Sequence, residues 1–260
     1  MKQKSLFFIG ALSVLIFEVG CLSSRLSCDK ISQFSLMSAL NQGLYETDFD
    51  YAEIKKQGDF GLGTFNSLDG EMVAIDGNFY QVKYDGSVSP VTDSEKCPFC
   101  VVKFFRAEKE VYLKEKTDYR QLCQRLDGEL ASKNIFYAVR IEGRFKFLKA
   151  RSVPKQKKPY KNLSEAVKGQ KVFEFRDVDA ILVGFKFPEC AQGINTGEWH
   201  FHFISKDRKQ GGHLLDCSIT GANILIDQTN DFFLRLPKNK EFMKMNLDAS
   251  RREASLSAER

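Results

Sequence analysis

The stretch Gly197-Glu198-Trp199-His200-Phe201-His202-Phe203-Ile204-Ser205-Lys206-Asp207-Arg208-Lys209-Gln210-Gly211-Gly212-His213 decides how this chain of 260 residues is read. Alternation sends His200, His202 and Ile204 to one face of a strand, and Trp199, Phe201 and Phe203 to the other. The polar run that follows predicts a turn, and His213-Leu214-Leu215-Asp216-Cys217 a returning strand. A hairpin folded about Asp207 and Arg208 sets His202 opposite His213, with Cβ atoms about 5 Å apart and His200 on the diagonal. These are the chain's three histidines, all within fourteen residues. A single histidine there would be read as a polar residue of a half-buried strand; three at matching positions on two strands predict a metal site. Zinc is the leading candidate, because neutral imidazole nitrogens at roughly 2.0–2.1 Å suit it and three protein ligands leave positions open for substrate or water. Nickel, iron, manganese and cobalt accept similar donors.

Outward from that hairpin, alternation recurs in Val172-Phe173-Glu174-Phe175 and Phe185-Lys186-Phe187, in a chain with 23 Phe and 43% hydrophobic residues. This favours sheet over helical bundle, and the length allows one large domain or two small ones sharing an interface. From Gly58 a series of short strands is punctuated by Asp69-Gly70, Asp76-Gly77 and Asp85-Gly86, which read as the turns of an antiparallel meander. Further strands are expected at 101–111, 135–148 with a hairpin turn at Glu142-Gly143, 172–175, 180–187, 199–204, 214–220, 222–226 and 232–236. Helices are expected at 31–44, 48–56, 119–130 and near 163–167. The fold class is α+β: two sheet-rich α/β domains with mixed or antiparallel sheets. Residues 31–160 would form an N-terminal domain carrying most of the helices, and residues 161–260 a β-rich domain with the metal site on its hairpin.

The net charge of +5 is scattered, with Lys155-Gln156-Lys157-Lys158 its densest cluster, which argues against a nucleic-acid partner. Gly61-Leu62-Gly63 does not open a phosphate cradle, since Asn66 stands where a third glycine belongs and strand follows instead of helix. Lys2 and Lys4 precede an apolar run, Ser5 to Phe17, and Val19-Gly20-Cys21 follows as a processing site. Residues 1–20 therefore read as a signal peptide and the protein as exported; Cys21 would carry the lipid if the leader is of lipoprotein type, the one route to a membrane. The pairing of the seven cysteines cannot be read from sequence. Cys97-Pro98-Phe99-Cys100 lacks a second CxxC and a thioredoxin-like context, so a local disulfide or two packed thiols is expected, and Cys217 is assigned to the core.

Five motifs, taken in order, carry a resemblance: Gly58 to Phe65, Leu68-Asp69-Gly70-Glu71-Met72, Phe79-Tyr80-Gln81, Arg151-Ser152-Val153-Pro154-Lys155-Gln156, and His200 to Ile204 through Gly211-Gly212-His213. Together they closely resemble the α-acetolactate decarboxylases from about Phe34 onward. The resemblance implies a zinc enzyme of acetoin biosynthesis that converts (S)-2-acetolactate to (R)-acetoin and carbon dioxide through a metal-stabilised enediolate, usually as a homodimer. By position it makes His200, His202 and His213 the metal ligands, Glu71 and Arg151 catalytic, and Thr64 and Arg151 substrate-binding. It also implies a catalytic glutamate near the C-terminus, with Glu259 favoured over Glu253.

The chemistry fits those residue types. Decarboxylation of a β-keto acid leaves an electron pair on the ketone oxygen, and a cation held by neutral imidazoles keeps its full charge to receive it. Arg151 can fork a carboxylate, while Glu71 and Glu259 can take the hydroxyl proton, complete the metal shell or orient a histidine. Two other readings stay open on the residues alone. One is a different tri-histidine metalloenzyme, a cupin-like oxygenase or a hydratase, although Ser205 and Lys206 stand where a cupin wants a glutamate. The other is an exported lipoprotein that binds zinc or a small solute.

Overall fold

The alternating segments pair into two sheets in the computed structural model, which describes residues 29–247. The leader with Cys21, Cys28, Glu253 and Glu259 lie outside the described residues. The first sheet comprises β1 (Ile31–Phe34), β2 (Phe60–Thr64), β3 (Glu71–Ile75), β4 (Asn78–Val82), β5 (Val88–Pro90), β6 (Cys100–Lys103) and β13 (Phe232–Arg235). They run in the order β13-β1-β6-β2-β3-β4-β5. The second comprises β7 (Lys109–Leu113), β8 (Thr117–Asp118), β9 (Phe136–Ser152), β10 (Lys171–Lys186), β11 (His200–Ser205) and β12 (Gly211–Thr229). Here β11 pairs with both β10 and β12, so the sheet curls until β9, β10, β11 and β12 close on one another.

Alternation decides what each face meets. Phe60 and Leu62 of β2, Val73 and Ile75 of β3, and Ile181, Val183 and Ile204 of the second sheet form one buried cluster between the sheets. The opposite face of the second sheet, with Phe201, Phe203 and Trp199, is covered by α3 (Tyr119–Glu129) through Leu122 and Leu126. That helix starts at Asp118, whose side chain accepts from the Gln121 N–H while Gln121 returns a bond to the Asp118 backbone. The outer face of the first sheet packs on Tyr51 and Ile54 of α2 (Tyr51–Ile54). No helix among the described residues is long and apolar enough to cross a membrane.

Several expected elements differ, each for a tertiary reason. The helix expected over 31–44 is β1 followed by α1 (Met37–Asn41), because Ile31 to Phe34 are buried between β13 and β6 and ladder pairing outweighs a helical period. Glu142-Gly143 makes no turn; β9 runs straight through. Gly143 is there for contact, since a Cβ on it would lie 3.0 Å from Ala222 Cβ and from Gly221 O. The strand expected over 101–111 splits into β6 and β7, which lie in different sheets. Conversely, 172–175 with 180–187, and 214–220 with 222–226, fuse into the long strands β10 and β12.

The division near residue 160 does not coincide with the sheets. β9 belongs to the second sheet although it precedes that boundary, and β13 returns to the first sheet beside β1. Side chains tie the sheets together as well. The Lys103 ammonium at the end of β6 is 1% exposed and lies 3.3 Å from Asp227 of β12, with Asp29 at 2.7 Å. Removing one partner strands a buried charge, so Lys103→Met should cost about 3–5 kcal/mol in urea unfolding, and adding Asp227→Leu should recover most of it. Equal losses in the single and double variants would show that the pair is not what matters.

Candidate metal centre and cleft

The hairpin folds in the register that alternation predicts. β11 and β12 pair His202 with His213, and β12 pairs His213 with Arg151 of β9. Arg151, His213 and His202 thus stand in one row across three strands, with His200 two residues along on the same face. Gly212 makes the row possible: its φ is +141°, and a Cβ there would meet Arg151 O at 2.7 Å. Beyond His213 the ladder shifts register between Leu214 and Asp216, and Cys217 lies in the core beneath α3.

The first sheet supplies the other wall. Thr64 and Glu71 are direct partners in the β2–β3 ladder, continuing the inward rows Phe60-Leu62 and Val73-Ile75 to the edge of the inter-sheet core. Gly70, at φ +85°, lets the turn enter β3 against Val82, whose carbonyl would sit 2.3 Å from an added Cβ. The Thr64 hydroxyl donates to Gly70 O at 2.6 Å, and the Glu71 carboxylate approaches His202 Nε2 to 3.5 Å. The three histidines, Arg151, Glu71 and Thr64 line one cleft, whose apolar side is Met37, Leu40, Leu68, Phe99, Val153 and Leu163.

The donor set fits a metal ion. His200 Nε2 lies 3.2 Å from His213 Nδ1, which lies 3.3 Å from His202 Nε2. That is the separation of two nitrogens each roughly 2.0–2.1 Å from one tetrahedral ion. His202 Nδ1–H donates to Met72 O at 2.8 Å, so the lone pair is on the nitrogen that faces the other imidazoles. All three rings are buried. Burial, with the Arg151 guanidinium nearby, pushes the His200 imidazole down to about 3 and holds His213 well below the usual histidine range. Both stay neutral, the form that binds a metal.

Those depressed values have a cost in acid. The unfolded chain takes up protons near pH 6.5 while folded His200 refuses them down to about pH 3. Stability of chelator-stripped protein is therefore full above pH 6.5 and falls below it, by on the order of 3 kcal/mol for His200 alone once pH 4 is reached. Urea midpoints measured from pH 7 to pH 4 should drop accordingly, and a flat profile would mean that the imidazoles are not sequestered.

Sequence reading missed the group that holds Arg151. Its Nη1 donates to Gln170 Oε1 at 3.2 Å, and its Nη2 lies 3.4 Å from His213 Nε2. Gln170 belongs to no motif; it is brought there because Lys171 pairs with Ser152 where β10 meets β9. Cys97 and Cys100 are buried, unbridged thiols, with burial and mutual hydrogen bonding pushing the Cys100 thiol up. They take no part in the metal centre.

Comparison with known proteins agrees with this geometry. The family profile for alpha-acetolactate decarboxylase matches residues 31–249. An alpha-acetolactate decarboxylase of Bacillus subtilis strain 168 is 41% identical over 219 residues, which span 84% of this chain and 86% of that protein. One from Methanosarcina mazei is 41% identical over 230 residues, 88% of this chain and 80% of the other. The crystal structure of the Bacillus subtilis strain 168 decarboxylase is similar with a TM-score of 0.86 at 39% identity, covering 88% of this chain and 98% of that one. With both sheets and the whole cleft inside the matched region, the chain belongs to the alpha-acetolactate decarboxylase family of carboxy-lyases.

Proposed function

We propose that this enzyme decarboxylates (S)-2-acetolactate to (R)-acetoin and carbon dioxide at a zinc ion held by His200, His202 and His213. The observation that carries the reading is the cross-strand row of Arg151, His213 and His202 facing Glu71 across one buried cleft. When bound, zinc supplies a Lewis acid for the charge that develops on the ketone oxygen as carbon dioxide leaves.

The chain's own groups do the rest. Arg151 forks the substrate carboxylate and, held by Gln170, keeps it on the side of the cleft next to the imidazoles. Glu71, 7% exposed and beside His202, receives the proton of the substrate hydroxyl and returns it to that oxygen as the product forms, which restores the carboxylate. The proton that replaces carbon dioxide comes from a water oriented by Arg151, because a guanidinium is too weak an acid to give up its own. Thr64 closes the polar end, and the apolar wall receives the methyl groups and excludes water. Glu259 is assigned a supporting carboxylate role on the resemblance alone. Export, read from the leader, and a homodimeric state, implied by the resemblance, complete the reading.

The test is direct. Purified protein given racemic 2-acetolactate should form acetoin, lose that activity to a chelator and regain it on adding zinc. Zinc-loaded protein that binds the ion tightly but forms no acetoin would leave a binding protein as the better description.

A further inference from the structure

The turn that enters β3 is strained in a way the ladder does not require. Ser67 and Leu68 are consecutive non-glycine residues in the left-handed region, at φ 62° and 53°. A bulky residue such as leucine rarely adopts that conformation, and it persists only where the surroundings over-determine it. Here they do. Ser67 N–H donates to Tyr45 O at 2.7 Å, Gln156 N–H donates to Ser67 O at 2.7 Å, and Asn66 N–H donates to Lys96 O at 2.9 Å. The Ser67 hydroxyl donates to Glu46 Oε1 at 2.8 Å and touches the Tyr160 hydroxyl at 3.1 Å, while the Tyr160 hydroxyl donates to the same Glu46 oxygen. Asn239 in turn donates to the Glu46 carbonyl at 2.7 Å.

Two consequences follow from where these residues stand. The strained pair leaves Leu68 4% exposed in the apolar wall, three residues before Glu71. Gln156 and Tyr160, on the other side of the contact, lie in the segment that leaves Arg151. The Glu46, Ser67 and Tyr160 side chains thus link the Glu71 side of the cleft to the Arg151 side through groups that themselves lie outside it.

We propose that the Glu46–Ser67–Tyr160 clamp is a positioning device that fixes Leu68 in the cleft wall and so limits the size of the alkyl group accepted on the carbinol carbon of the substrate. The inference rests on the decarboxylase reading above. A hydrophobic wall that is held in place discriminates one methylene by roughly 10-fold or more, and one that can yield does not. Tyr160→Phe keeps the ring packed edge-on against Tyr45 and removes only the hydroxyl. Ser67→Gly takes the positive φ without strain and also removes a hydroxyl. Neither should unfold the protein, and zinc content and melting temperature serve as controls.

The experiment compares kcat/KM for 2-acetolactate with that for its homologue carrying ethyl in place of the methyl on the carbinol carbon. Both variants should lower the methyl-over-ethyl preference at least about threefold, mainly through KM, at unchanged zinc content. An unchanged preference in both variants, whether or not the melting temperature falls, would reduce the clamp to a fold contact and overturn the proposal. Wild-type enzyme that converts neither compound would instead sink the decarboxylase reading, and this inference with it.

Discussion

His202→Ala is expected to leave the protein without its metal and lower acetoin formation by at least about 10³-fold, the scale at which loss of a group stabilising developing charge is felt. His202 is the histidine most firmly built into the fold: it is 1% exposed, pairs with His213 across the hairpin and donates through Nδ1 to Met72 O of the opposite sheet. Among the described residues, no further histidine or cysteine stands beside its Nε2 between His213 and Glu71, at 3.3 and 3.5 Å, to replace it. Glu71→Gln is the informative partner variant. It keeps the shape of the side chain and removes its basicity, so turnover should fall by about 10²–10⁴-fold with zinc still bound. Metal analysis beside the assay separates the two; full loss of zinc from Glu71→Gln would make Glu71 an essential ligand, and His202→Ala that still binds zinc and turns over would remove His202 from the centre.

Arg151→Lys should be clearly damaging too, though less so than either, despite keeping the charge. A lysine ammonium is a point donor and cannot match two carboxylate oxygens with a planar fork. Losing one charge-assisted bond of the pair costs about 1.5–3 kcal/mol, or roughly 10–150-fold in kcat/KM. Arg151 is 5% exposed and fixed by Gln170, so the shorter donor has little freedom to find a substitute geometry. The effect should exceed that of Gln170→Ala, which leaves the fork intact and only loosens it. Near-normal turnover by Arg151→Lys would take this residue out of carboxylate binding, and zinc content should be unaffected in either case.

Much of the site was legible because its chemistry is local. His200, His202 and His213 lie on one hairpin, and strand periodicity with a polar turn is enough to put them on one face. Thr64 and Glu71 were named only through the family resemblance; the structure makes them direct partners across the β2–β3 hairpin. Gln170 was not legible, since its contact with Arg151 depends on how far the β9–β10 ladder extends. The left-handed pair Ser67-Leu68 was hidden too: nothing in its composition asks for positive φ, and only bonds from Tyr45, Glu46, Gln156 and Tyr160 impose it.

The secondary structure divides in the same way. Where a segment carries its own signal, as in the capped helix α3 or the strand β11, the residues alone determine it. At Ile31 to Phe34 a helical period lost to pairing with β13, a strand some two hundred residues away, and at Glu142-Gly143 a turn-like pair proved to be a close approach between strands. The sequence by itself determined that three imidazoles would face one way on a hairpin, because side-chain direction in a strand has a period of two residues and needs no partner. Only the tertiary structure decided that Arg151 and Glu71 meet them. Those contacts depend on the register of β9 against β12 and on the packing of one sheet upon the other, which many distant side chains settle together.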